Sequence, residues 1–267
     1  MTVRPVWDPQ QYLRHSGHRT RPFLDLLARV DLPAPARIAD LGCGAGNVTA
    51  LLAERWPDAR VTGYDNSPQM LERARRYAGP RLDFAHADAA TWAPGKAAYD
   101  LIVSNALLQW VPDHASRFPV WLDALTPGGV LAFQVPGNFS APSHTLLAAL
   151  RDSARWRARL GGAGERAGAV LEPREYLTRL AALGCDADVW ETTYLQVLHG
   201  EDPVLDWVKG TALRPVLTAL AGDPEASAAF VAECAEALRD AYPAGPHGTV
   251  FPFRRVFAVA RKASVPS

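Results

Sequence analysis

With 267 residues, 48% of them hydrophobic, the chain can bury one full α/β core together with a modest insertion or cap. Its 28 basic and 28 acidic residues balance, so no global field points to nucleic acid or an anionic membrane as partner. Cys43, Cys185 and Cys234 lack the spacing of a zinc site or a disulfide framework, and no apolar run approaches the length of a membrane span.

Short apolar runs alternate with helical stretches through the first half, the pattern of βαβ units on a parallel sheet. Ala36 to Leu41 reads as the first strand, and Val48 to Trp56 as a helix stopped by Pro57. Arg60 to Tyr64 is the second strand, followed by a helix over Pro68 to Tyr77 with Ser67 as N-cap. Leu82 to Ala85 and Tyr99 to Ser104 are the third and fourth. A helix over Phe118 to Leu125 and a turn at Pro127-Gly128-Gly129 lead into the fifth, Val130 to Val135. Strands this continuously apolar suit a sheet covered on both faces.

After Pro136 the pattern loosens. Leu146 to Leu160 and Arg174 to Leu183 read as helices, with a loop at Gly161 to Gly164 between them. A strand over Asp188 to Leu198 precedes two Ala-rich helices that part near Gly222-Asp223-Pro224, and Val250 to Ala260 closes the sheet. The expected organisation is therefore covering helices over residues 1–30 and a cofactor core over 31–137. Residues 138–267 then hold the remaining core strands and a helical substrate cap. The opening MTVRPVWDPQQYL lacks the apolar segment of a signal peptide, so a cytoplasmic location is expected.

Asp40-Leu41-Gly42-Cys43-Gly44-Ala45-Gly46 ends the first strand and opens a helix. Glycines at alternate positions let the backbone pass under a nucleotide-type ligand, where a Cβ would collide. Asp40, just upstream, suits the cationic amino group of methionine. The competing reading is a dinucleotide fingerprint with pyrophosphate at the helix N-terminus. That pattern needs glycine where Asn47 stands, and Asp40 would repel a pyrophosphate. The expected cofactor is S-adenosylmethionine, with S-adenosylhomocysteine as product.

Asp65 and Asn66, at the end of the second strand, are candidates for the ribose hydroxyls. Asp88 can take the adenine amino group while the Ala89 N–H meets the ring; Trp92 reads equally well as a packing residue or an adenine lid. Asn105, after the fourth strand, can meet the methionine part, and Trp110 the acceptor, because ligands in open α/β sheets lie beyond the carboxyl ends of the strands. His114 reads as a surface-loop residue with a substrate contact as the alternative, and Trp110 and His114 are the candidates for a catalytic role beyond in-line positioning. Together these motifs describe a Rossmann-like class I methyltransferase sheet, mostly parallel with an antiparallel last strand, and a helical cap inserted in the C-terminal half.

The chain as a whole resembles the trans-aconitate 2-methyltransferase family. The resemblance rests on Trp7-Asp8-Pro9-Gln10-Gln11-Tyr12-Leu13, on Arg19-Thr20-Arg21-Pro22, and on DLGCGAGN, SNALLQWVPDH and LTPGGVLAFQVPGN. The sharper part lies in Trp190 to Tyr194, in Trp207 to Pro215 and in Phe251 to Phe257. Two departures stand out: Arg254 replaces a family proline, and Leu195-Gln196 replaces a Tyr-His pair. A different preferred acid, or a different small metabolite, is the alternative that the second departure supports. A non-enzymatic cofactor sensor is disfavoured by the complete set Asp40, Gly42, Gly44, Asp65 and Asp88.

The resemblance implies monomethyl esterification of trans-aconitate, a small tricarboxylate. A carboxylate with a pKa near ~4 is already a nucleophile at neutral pH, so neither a general base nor a metal is expected. Recognition of the remaining carboxylates calls for arginine, whose fork binds them bidentately. Arg214 and Arg255 lie in the matching motifs and are the expected clamps. Arginine alone is weak evidence here, because only Lys96, Lys209 and Lys262 of the 28 basic residues are lysine. Tyr12, His18 and Arg21 are expected to close over cofactor or substrate, and Tyr194 is a further substrate candidate; Trp207 reads as core.

Overall fold

The structure, a computed structural model, describes residues 16–163 and 170–264. Its contacts divide the chain into two compact units, one of residues 17–136, 170–192 and 255–264, the other of residues 16, 137–163 and 193–254.

In the first unit the elements are α1 (Ser16–Ala28), β1 (Arg37–Leu41), α2 (Asn47–Arg55), β2 (Arg60–Asp65), α3 (Pro68–Ala74), β3 (Leu82–His86), β4 (Tyr99–Asn105), α4 (Phe118–Asp123) and β5 (Leu125–Pro136). In the second, α5 (Pro142–Arg151) and α6 (Arg157–Leu160) follow, and then the chain returns to the first unit for α7 (Pro173–Ala182). β6 (Cys185–Leu198) and β8 (Gly248–Lys262) each give residues to both units. Between them come α8 (Pro203–Lys209), α9 (Arg214–Ala219), α10 (Pro224–Ala241) and the two-residue β7 (Ala244–Gly245).

The strand order is β3-β2-β1-β4-β5-β8-β6, with β7 paired to β8. β1 to β5 pair in parallel, and β8 joins β5 antiparallel, with Gln134 opposite Phe257 and Pro136 opposite Arg255. This is the Rossmann-like sheet expected from the sequence, parallel through β5 and with the chain's last strand, β8, antiparallel. The strand order reverses at β1, where β1 lies between β2 and β4, so the carboxyl ends of these strands flank a natural ligand crevice.

Each unit has its own core. In the first, Ile102, Leu131, Phe133, Trp121, Tyr176 and Ala258 are sealed from solvent between sheet and helices. In the second, Trp156, Trp207, Phe230, Leu213 and Phe251 form a separate apolar cluster. Each large side chain fully buried contributes about 1.5–3 kcal/mol, so each cluster stabilises its own unit substantially.

The observed boundaries move for local reasons. The helix from Pro68 ends at Ala74 and tightens into a 3₁₀ turn over Arg75–Tyr77, while Ser67 caps its start by accepting from the Met70 N–H at 3.3 Å. β5 begins at Leu125, so Pro127-Gly128-Gly129 becomes an irregular stretch of the strand, with the register shifting between Tyr99 and Leu101. The long helix read over Leu146 to Leu160 is broken after Arg151. There Asp152 holds the Arg151 guanidinium through both oxygens, at 2.7 and 2.6 Å, and Arg151 donates to the Ala163 carbonyl. α8 was not anticipated, although Asp202-Pro203 is a sound helix start, with proline at the first position.

Candidate active site

The glycine loop is shaped by backbone bonds to β2. The N–H groups of Gly42 and Cys43 both donate to the Tyr64 carbonyl, at 2.8 and 3.0 Å. Gly42, Gly44 and Gly46 all have positive φ, at 77°, 55° and 80°. A Cβ on Gly42 would lie 2.8 Å from Leu107, and one on Gly46 would meet Ala74 and Phe84 at 2.9 Å. At Gly44 a Cβ would meet nothing within 4 Å. The outer glycines thus serve close packing, whereas the middle one borders open space, as a ligand cradle requires.

Two carboxylates flank this cradle. Asp65 is half-buried and oriented by two backbone donors: Gly44 N–H to Oδ2 at 2.9 Å and Ser67 N–H to Oδ1 at 2.8 Å. Each oxygen keeps a lone pair for a further donor, which suits a pair of ribose hydroxyls. Burial raises its pKa, and the bonds from Ser67, Gly44 and Asn66 oppose that rise. Asp40 is fully buried. Its Oδ2 accepts from Thr49 Oγ1 at 2.7 Å, while Oδ1 has no partner. Desolvation, offset in part by Thr49 and reinforced by Asp65, pushes its pKa up to about 7. A buried carboxylate with one oxygen orphaned is costly, and a cationic ligand group would relieve it.

Asn66 is exposed beside Asp65. Asp88 is half-buried and caps the turn after β3, its Oδ1 accepting from the Ala90 N–H at 3.0 Å; Ala89 is buried next to it. Trp92 lies in the core, tilted against Tyr64 and Tyr99 with centroids 5.3 and 5.7 Å away, which is the packing reading.

The loop after β4 holds Asn105, Ala106 in the left-handed region at φ 56°, and a 3₁₀ turn over Leu108–Trp110. Trp110 is half-buried. His114 is not a surface-loop residue: it is 3% exposed, and its Nε2 is 2.7 Å from the Tyr176 hydroxyl. Burial lowers its pKa, against the raising effect of backbone bonds to Val111 and Leu108. A neutral imidazole so engaged joins this loop to α7 and is poorly placed to touch a substrate.

Arg255 is 5% exposed and donates through Nη1 to Gln134 Oε1 at 3.2 Å. Gln134 in turn donates through Nε2 to Asn105 Oδ1. The row Arg255, Gln134, Asn105 therefore crosses three neighbouring strands. Gln134 and Thr49 escaped the sequence reading. A lone glutamine inside the apolar run Val130 to Val135 was the available signal for Gln134.

In the second unit Arg214 is half-buried at the start of α9, and Tyr194 is buried on β6. Trp207 is core, against Phe251 and Phe253. Leu195 is 71% exposed while Gln196 is buried, so only Gln196 of that pair points inward. Arg21 is exposed, 3.9 Å from Asp25. Tyr12 and the side chain of His18 lie outside the described residues. Among the described residues no group of three His, Cys, Asp or Glu is placed to hold a metal ion, and no helix is long and apolar enough to cross a membrane.

Comparison with known proteins bears on this site directly. Residues 38–129 match the model of a methyltransferase domain. Trans-aconitate 2-methyltransferases of Streptomyces coelicolor and Streptomyces avermitilis are each 67% identical to the chain. The matches span 97% of it and 87% and 97% of the relatives. The Rhodococcus jostii enzyme of that name is 50% identical over 96% of the chain and 99% of its own length. The chain belongs to the trans-aconitate 2-methyltransferase family. Solved structures agree in fold. The YcgJ protein of Bacillus subtilis superimposes with a TM-score of 0.58 at 13% identity, covering 92% of this chain and all of its own. A Haemonchus contortus phosphoethanolamine N-methyltransferase 2, solved with S-adenosyl-L-methionine, gives 0.55 at 18% identity, covering 91% of this chain and 53% of its own. In this methyltransferase, the open space at Gly44 and the carboxylates of Asp65 and Asp40 fit such a cofactor.

Proposed function

We propose that the chain methylates one carboxylate of trans-aconitate, yielding the monomethyl ester and S-adenosylhomocysteine. Near-full-length identity with relatives so named supports the acid most strongly. S-adenosylmethionine supplies an electrophilic methyl group when bound. Asp65 and Asn66 would hold its ribose, Asp88 and Ala89 its adenine, and Asp40, Gly42, Gly44 and Asn105 its methionine end. Tyr12 and Arg21 remain candidates to cover it.

The chain's own contribution is placement. An ionised acceptor already carries its nucleophilic lone pair, so no residue has to remove a proton. Holding one carboxylate oxygen in line, in a site emptied of water, supplies the rate. Arg255, a buried cation in an apolar strand, is our first candidate for a non-reacting carboxylate, and Arg214 our second. Trp110 would present a wall to the acceptor, with His18 and Tyr194 as further contacts. His114 acts, in this reading, by holding the loop that carries Trp110. We take residues 1–30 as a cover, 31–137 as the cofactor core, and 138–267 as core strands plus substrate cap. The reaction needs no metal, nucleic acid or membrane and suits the cytoplasm.

The decisive experiment is product formation from labelled cofactor with a panel of tri-, di- and monocarboxylates. Selective labelling of trans-aconitate is expected. Preference for a smaller acid would move the assignment to another substrate, with Gln196 the first residue to examine. No transfer to any acid would overturn it.

A further inference from the structure

We propose that Gln134 is a positioning residue that locks the Asn105 amide with its NH2 turned toward a ligand carboxylate. The proposal rests on the reading above that Asn105 lines the reactant site.

The geometry follows from strand register. Asn105 on β4 stands opposite Gln134 on β5, and Arg255 on β8 pairs with Pro136, two residues further on. Their neighbours Val103, Phe133, Val135, Val256 and Phe257 are all sealed and apolar. In such surroundings polar atoms must satisfy each other. Arginine has donors only, so the oxygen of Gln134 must face it, as the 3.2 Å contact from Nη1 to Oε1 records. The Gln134 amide is then fixed, and its Nε2 points the other way, to Asn105 Oδ1. With its oxygen engaged, half-buried Asn105 keeps Nδ2 as its remaining hydrogen-bonding group. Among the described residues nothing accepts from that group.

All bonds in the row run in one sense, from the guanidinium through Gln134 to Asn105. Aligned bonds polarise one another, and a charged donor at the far end makes the Asn105 hydrogens more positive. The backbone secures the near end. The Ala106 N–H donates to the Gln134 carbonyl at 2.9 Å, and Gln109 Nε2 donates to the Ala106 carbonyl at 2.6 Å. Ala106 is thereby held in its strained conformation. Leu107, next along, is the side chain that a Cβ on Gly42 would meet at 2.8 Å, so the loop that follows Asn105 lies against the glycine loop.

Two N–H donors at the positive end of such a chain select an acceptor-only anion. A carboxylate is the group both reactants carry: the amino-acid end of the cofactor and the acceptor acid.

Gln134→Glu tests the directionality. Glutamate keeps the volume and gains a charge partner in Arg255, but it has no hydrogen to give. Asn105 must then turn over, donate to Glu, and offer its oxygen to the ligand. Affinity for the carboxylate-bearing ligand is expected to fall about ten- to hundredfold, with the melting temperature kept. Calorimetry with S-adenosylhomocysteine and with 5′-methylthioadenosine, which lacks the amino-acid end, identifies the source. Loss for the first alone assigns the cofactor carboxylate. Unchanged binding of both, with a raised KM for trans-aconitate, assigns the acceptor. In an Asn105→Leu background, Gln134→Glu should add nothing, whereas a merely structural role would repeat its cost. Should Gln134→Glu fail to fold, Gln134→Met is the substitute; it removes the lock without reversing it, and a three- to tenfold loss is expected. Wild-type binding and kinetics in the variant that folds, or equal weakening of both nucleosides, would overturn the proposal. Failure of the wild-type protein to bind S-adenosylhomocysteine would instead overturn the underlying cofactor reading.

Discussion

The carboxyl ends of β1 and β2 and the helical unit that follows β5 are built in opposite ways. In the first, backbone groups do the holding: the Tyr64 carbonyl clasps the glycine loop, and the N–H groups of Gly44 and Ser67 orient Asp65. In the second, Trp156, Trp207, Phe230 and Phe251 fill the interior, and the candidate polar contacts are side chains such as Arg214 on α9 and Tyr194 and Gln196 on β6. A site made from backbone tolerates few sequences, because its glycines and carboxylate are dictated by φ and by close approach. A pocket made from side chains on an apolar scaffold can change its contacts without changing its fold. The first design fits the cofactor role proposed for the ends of β1 and β2, and the second the acceptor role proposed for the helical unit.

The largest effect that would sharpen this contrast lies inside the glycine loop. Gly46→Ala should lose about 2–4 kcal/mol of stability. Its Cβ would meet both a backbone atom of Ala74 and the Phe84 ring, at a left-handed φ that alone costs ~1–2 kcal/mol. Gly44→Ala should lose only the latter, since nothing lies within 4 Å, yet it should weaken S-adenosylhomocysteine binding severely. Thermal unfolding alongside calorimetry separates the two. Equal stability losses, or normal cofactor binding in Gly44→Ala, would break the division between packing glycines and a cradle glycine.

The next effect compares two arginines. Arg255→Ala should cut kcat/KM for trans-aconitate by ~2–4 kcal/mol, about thirty- to a thousandfold, if a desolvated carboxylate pair is lost. Arg214→Ala should cut it less, because the residue is only half-buried and water replaces part of the lost contact. Arg214→Ala should leave cofactor affinity unchanged. If kinetics stay normal in both folded variants, neither arginine holds substrate.

How much of this was legible beforehand follows the same division. Asp40, Gly42, Gly44 and Asp65 lie in two short segments, and each residue type follows from local chemistry, so the sequence alone brings them forward as candidates. Gln134, Asn105 and Arg255 come from three strands, and their partnership depends on a register that no local pattern encodes. His114 was misread as a surface residue for a similar reason. Its burial depends on Tyr176, 62 positions away. Trp207 was assigned correctly to the core because an aromatic residue in an apolar helix needs no distant partner to explain it. The break after Arg151 depends on the Asp152 carboxylate and the Ala163 carbonyl holding the Arg151 guanidinium, contacts that the apolar periodicity of Leu146 to Leu160 does not encode.

The smallest effect concerns a proton. Asp40 is sealed, with Oδ1 unpartnered and a pKa pushed up to about 7, so the free protein near neutrality holds it partly protonated. The sign for stability follows from the raised value. The unfolded carboxyl ionises near ~4, so the stability Asp40 contributes is complete below that pH and is lost as pH rises through about 7. Asp40→Asn should therefore flatten the decline in stability between those limits. A cationic ammonium group brought close would pull the pKa down by ~1–3 units and expel the remaining proton. Binding of S-adenosylmethionine at pH 7 should then release on the order of half a proton, seen as a dependence of calorimetric enthalpy on buffer ionisation. The release should shrink toward pH 8.5, where the carboxyl is already ionised, and should vanish in Asp40→Asn. A buffer-independent enthalpy at pH 7 would mean that Asp40 does not face the cationic end of the ligand. The backbone-built half of the site would then rest on Asp65 and Gly44 alone.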